Sequence, residues 1–101
     1  MIRTPAACRL SEARAESAAA DAAYARAVLA DPLGAYWYAA LDACPDGIAE
    51  SEWRSTCHAA LSRVEQLRPD IGRARERMHD AWLVLTHAER CAAEAEKTDA
   101  A

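Results

Sequence analysis

Four cysteines and three histidines are the side chains in this 101-residue chain best suited to hold a metal or carry redox chemistry. Cys8, Cys44, Cys57 and Cys91 form no Cys-x-x-Cys pair, so the local zinc signature is absent. Asp31-Pro32 and Arg68-Pro69, read below as breaks between helices, allow a geometric test. Cys8 lies 23 residues before Asp31 and Cys91 lies 22 after Pro69. Cys44 lies 13 residues after Asp31 and Cys57 lies 12 before Pro69. At about 1.5 Å per residue this puts Cys8 level with Cys91 and Cys44 level with Cys57, in two levels roughly 15 Å apart. One four-thiolate zinc site needs every sulfur about 2.3 Å from a single ion, so the spacing disfavours it. The pairs Cys8/Cys91 and Cys44/Cys57 could form two disulfides. Without an export signal the compartment is expected to be reducing, which favours free cysteines acting as small buried hydrophobes. His87 and Cys91 share a helix face at i, i+4, and Cys57 precedes His58. No carboxylate arrangement accompanies His87, so a solvent-exposed histidine is expected and no metal or other cofactor is implied.

Enzyme motifs are missing. A di-iron bundle needs Glu-x-x-His on two helices, and this chain has it only once, at Glu76 and His79 of a single helix. Three glycines cannot build a phosphate-cradling loop, a dinucleotide fingerprint or a nucleophile elbow. His87 near Arg90 and His79 near Arg75 have only generic spacing for a phosphorelay. The expectation is a protein without catalysis.

Surface chemistry is more informative. Tyr36-Trp37-Tyr38 places three aromatics in succession on a helix, where each residue turns by about 100°, so the three cannot all face one core. With Trp37 inward, Tyr36 and Tyr38 flank it as candidate contact residues, or cover the core edge with their hydroxyls in water. Asp42, Asp46, Glu50 and Glu52 follow with no base between them. Acidic and aromatic surface suits a basic protein partner, whose association the charge accelerates. A second candidate patch is Arg68, Arg73, Arg75 and Arg77, set against local pairing with Asp70, Glu76 and Asp80. A helix-turn-helix formed by the second and third helices is the outline of a DNA-binding regulator. Its recognition helix would begin with Asp46, Glu50 and Glu52 against Arg54, which phosphate repels, so nucleic acid is disfavoured.

The elements that carry these residues are read from caps and breakers. Thr4-Pro5 opens a helix from Pro5 to about Ala30. Asp31-Pro32 opens a second to about Ala43, and Cys44-Pro45-Asp46-Gly47 is a turn. A third runs from Ile48–Ser51 to about Leu67, and a fourth from Pro69 to Glu96, with 97–101 expected to fray. The fourth carries a seam of Ile71, Ala74, Met78, Ala81, Leu85, Ala88, Ala92 and Ala95, which Trp82 and Val84 should widen toward the core. Trp53, Cys57, Ala60, Val64 and Leu67 form the seam of the third helix. Leu33, Trp37, Leu41 and Cys44 form that of the second. The first helix has a seam of Ala6, Leu10, Ala13, Ser17, Ala20, Tyr24 and Ala27. Its second face of Ala15, Ala18, Ala22, Ala25 and Leu29 could meet another neighbour. The alanine richness is equally well explained by genome composition, as eleven Arg against one Lys suggest.

The expected fold is all-α: an antiparallel up-down-up-down four-helix bundle, two helices long and two shorter, in one domain over 1–101. Twenty-seven alanines against 22 larger apolar residues give a thin core, and an uncovered end of the long pair suggests a homodimer. The net charge is −4, no apolar run spans a membrane, and the first 20 residues have no signal-peptide core, so a cytoplasmic protein is expected. The function expected is binding to an unidentified protein partner, as regulator, adaptor or inhibitor. One version is a phage or mobile-element inhibitor of a host complex, as anti-CRISPR proteins are; it rests on size alone. The alternatives are the DNA-binding regulator and a metal- or redox-responsive bundle using the cysteines.

Overall fold

In the computed structural model the chain is all-α, with α1 (Pro5–Leu29), α2 (Pro32–Ala40), α3 (Glu50–Leu67) and α4 (Pro69–Ala100). The structure describes the backbone of residues 5–100 and the side chains of residues 9–98. Thr4 as a cap, Ala6 in the α1 seam and the Cys8 side chain lie outside the described residues. α1 and α4, of 25 and 32 residues, are the long pair, and α2 and α3, of 9 and 18, the short one. Asp31 opens α2 as expected: its carboxylate accepts from the Leu33 and Gly34 backbone N–H groups, both at 3.0 Å. α2 stops at Ala40, three residues earlier than expected. The Trp53 indole N–H donates to the Ala40 carbonyl at 2.6 Å and satisfies an acceptor the helix leaves open. Pro45 then disfavours helix at Cys44. α4 continues past Glu96 to Ala100.

The chain divides into two compact units. One contains residues 23–74: the last turns of α1, all of α2 and α3, and the first turns of α4. Its core is Tyr24, Val28, Cys57, Leu61, Val64 and Ile71. The Tyr24 hydroxyl donates to Glu65 Oε1 at 3.1 Å, which ties α1 to α3. Trp37 and Trp53 meet at 6.5 Å between ring centroids where α2 packs on α3. Three expectations change here. The inward face of α2 centres on Gly34, not on Leu33, which is 53% exposed. A Cβ on Gly34 would lie 2.5 Å from the Val28 carbonyl oxygen, so the missing side chain lets α2 turn sharply back along α1. On α3, Leu61 is buried while Leu67, in the last turn before Pro69, is 76% exposed.

The other unit contains residues 1–22 and 75–101, the first part of α1 and most of α4. The two run antiparallel. Arg9, Glu12 and Glu16 line a groove with Val84, His87 and Cys91, and Ser17 and Asp21 line one with Arg75, Met78 and Trp82. The expected seams meet: Ala13, Ala20, Ala81 and Ala88 are buried. Trp82 and Val84 do not widen this core; they are 55% and 60% exposed. Two helices whose seam is alanine bury a narrow strip, and within this unit no third helix covers the flanks. The second alanine face of α1 is likewise mostly exposed at Ala15, Ala18 and Ala22.

Candidate functional site

The acidic and aromatic candidates all fall in the 23–74 unit, on α2, its connector and the start of α3. Asp31 and Gly34 fix the roll of α2, and that roll decides which aromatics reach solvent. Tyr36 points out at 65% exposure and meets Trp37 edge-on at 5.1 Å between ring centroids. Tyr38 is half-buried and lies 6.3 Å from the Tyr24 ring, at the core edge. The structure therefore separates the two tyrosines: Tyr36 is surface, and Tyr38 covers the core. Sequence reasoning missed Leu33, which shares the outward face of α2 with Tyr36 at i, i+3, and Ile48, exposed in the connector. The signal for Leu33 was Gly34, whose bare backbone marks the side of closest packing.

Asp42, Asp46, Glu50 and Glu52 are all exposed, and among the described residues none of them makes an ion pair. Gly47 turns the connector with φ of +87°, a conformation that favours glycine. The Cys44 thiol lies 3.5 Å from the Ile48 carbonyl, which holds the same turn from inside. α3 has no side-chain N-cap at Ala49. Glu50 and Glu52 stand in its first turn, where carboxylates offset the helix dipole. Asp42 and Asp46 have no such structural duty.

The arginines behave differently. Arg68 donates through Nη1 to Asp31 Oδ2 at 2.9 Å and through Nε to Asp70 Oδ1 at 3.3 Å. It thus fastens the start of α2 to the start of α4, a structural clasp. Arg77 donates to Glu16 Oε1 at 2.9 Å. That hydrogen bond, and the guanidinium charge behind it, hold the Glu16 carboxyl below its ordinary pKa of 4.5. Arg75 lines a groove of about 450 Å³ with Asp21, Met78, His79 and Trp82. Arg73 is exposed. Of the expected local pairs, Arg68–Asp70 forms as an ion pair. Two of the cations reach acids distant in sequence.

Cys57 is fully buried, and Cys44, Cys57 and Cys91 are free thiols. Cys91 lies 3.5 Å from Nε2 of exposed His87, in a groove of about 330 Å³ with Arg9, Glu12 and Val84. Among the described residues no three His, Cys, Asp or Glu side chains cluster as metal ligands. No helix of the described residues is long and apolar enough to cross a membrane. The class these features define is an all-α chain with an acidic, aromatic surface on its short helices. Comparison with known protein families, with curated proteins and with solved structures finds no match to this chain.

Proposed function

We propose that this chain acts without chemistry of its own, by binding a basic protein partner through α2 and the α2–α3 connector, as a regulator, adaptor or inhibitor. The observation that carries this reading is the combination of Tyr36, Leu33 and Ile48 at the surface with Asp42, Asp46, Glu50 and Glu52, none of which makes an ion pair among the described residues. Exposed aromatic and aliphatic side chains supply the desolvated centre of an interface. Uncompensated carboxylates around them steer a cationic partner and reject an acidic one. A protein that blocks a host complex, as anti-CRISPR proteins do, is one form of this reading. Support for the helix-turn-helix reading is weaker. Residues 41–49 make a nine-residue connector between α2 and α3, against the three or four residues that motif uses.

The test is affinity capture from the source cells with the tagged chain, followed by binding kinetics on the purified partner. The combined Asp46→Ala, Glu50→Ala and Glu52→Ala variant should slow association about tenfold at low salt and lose that difference at high salt. Tyr36→Ala should speed dissociation. A partner retained equally by all variants removes the reading. A salt-dependent shift of duplex DNA by the wild-type chain would put the DNA-binding alternative in its place.

A further inference from the structure

In the unit of residues 1–22 and 75–101 the large apolar side chains sit outside the seam rather than in it. Ala13, Ala20, Ala81 and Ala88 are buried, while Trp82, Leu83 and Val84 are exposed. At about 100° per residue, Trp82 and Val84 fall on opposite flanks of the α4 seam. The Trp82 flank carries a pattern of its own. Arg75, His79, Trp82, Thr86, Glu89, Ala93 and Glu96 recur at alternating steps of four and three, so they form one continuous stripe on α4. His79 stacks on the Trp82 ring at 6.2 Å between centroids, with 23° between the planes. The stripe is basic before Trp82, at Arg75 and His79, and acidic after it, at Glu89 and Glu96.

A surface with an aromatic centre and opposite charges on either side matches itself when turned through a half rotation. We infer that the occupant of this flank is a second copy of the chain, with the two α4 helices antiparallel across a two-fold axis near Trp82. With the axis at Trp82, position 75 of one copy lies beside position 89 of the other, so Arg75 meets Glu89 and the symmetry makes that charged contact twice. Trp82 and the apolar lining at Met78 leave water together. In a parallel arrangement the same stripe would set like charge against like, which disfavours that geometry. The surface is separate from the one in the proposed function, so each reading can fail without the other.

The experiment is sedimentation or light scattering on the full chain, with variants that invert single charges. The wild-type chain, of 11.0 kDa, should run at twice that mass at micromolar concentration. Arg75→Glu and Glu89→Arg should each weaken self-association about tenfold. Residues 75 and 89 are 14 positions apart on one helix, roughly 21 Å, so they do not meet within a copy. Mixing the two variants should therefore restore a dimer with one of each chain, because both inter-copy contacts again join opposite charges. Trp82→Ala should give a folded monomer, with helix content checked by circular dichroism. A wild-type chain that stays at 11 kDa to about 100 micromolar overturns the inference. So does a dimer indifferent to all three variants, or one that the mixture fails to restore.

Discussion

At the residue scale, the charged side chains divide by what they do for the fold. Arg68 holds Asp31 while that same carboxylate caps α2, so one acid serves a helix start and an ion pair. Arg77 and Glu16 clasp α1 to α4 at the surface. Glu16 has a depressed pKa in the folded chain because of Arg77. The unfolded chain therefore binds that proton at a higher pH. The stabilisation is full above the ordinary carboxylate value of 4.5 and is lost as pH falls through the lower folded value. Glu16→Gln should remove that part of the acid dependence while leaving the slope above pH 5 unchanged, as read from thermal melts between about pH 2 and 6. The exposure of the pair makes the effect small, and salt should shrink it further.

At the element scale, α2 shows how a cap and a glycine outweigh apolar spacing. The Leu33, Trp37, Leu41, Cys44 spacing looks like an inward face, but α2 ends at Ala40 and packs through Gly34, Trp37 and Tyr38. The close approach of Gly34 to Val28 sets the roll, and the roll turns Leu33 and Tyr36 outward. Gly34→Ala therefore tests it. Alanine would gain about 1 kcal/mol in helix propensity. Its Cβ would meet backbone at Val28, which must move. We expect a net loss of about 1–3 kcal/mol in denaturant unfolding. Neutral or raised stability would show that α1 and α2 separate easily.

At the scale of the whole molecule, the two units have different cores. Residues 23–74 bury Val28, Cys57, Leu61, Val64 and Ile71. The other unit's buried side chains are alanines, each contributing about 1 kcal/mol or less. Amide exchange in the Trp82→Ala variant should therefore be faster across residues 9–22 and 75–96 than across α3, measured by mass spectrometry. Ile71→Ala should destabilise the 23–74 unit by about 2–5 kcal/mol. Equal protection throughout would mean that the alanine seam is as stable as the larger core.

Composition, prolines and caps by themselves determined the number of helices and most of their ends. Asp31-Pro32 and Arg68-Pro69 restrict the backbone locally, and such restrictions are legible without neighbours. The seams of α1 and α4 were legible too, since alternating steps of three and four define a face whatever packs on it. The acidic residues of the candidate surface could be named for the same reason: charge at a turn goes to solvent. Tertiary structure alone decided which side of α2 faces inward and which acid each arginine reaches. It also decided whether Trp82 and Val84 would be covered. Burial of a large side chain depends on a second surface being present beside it. In residues 1–22 and 75–101 the partner helix presents alanines along one narrow strip, and a periodic pattern on α4 cannot report how wide its neighbour is.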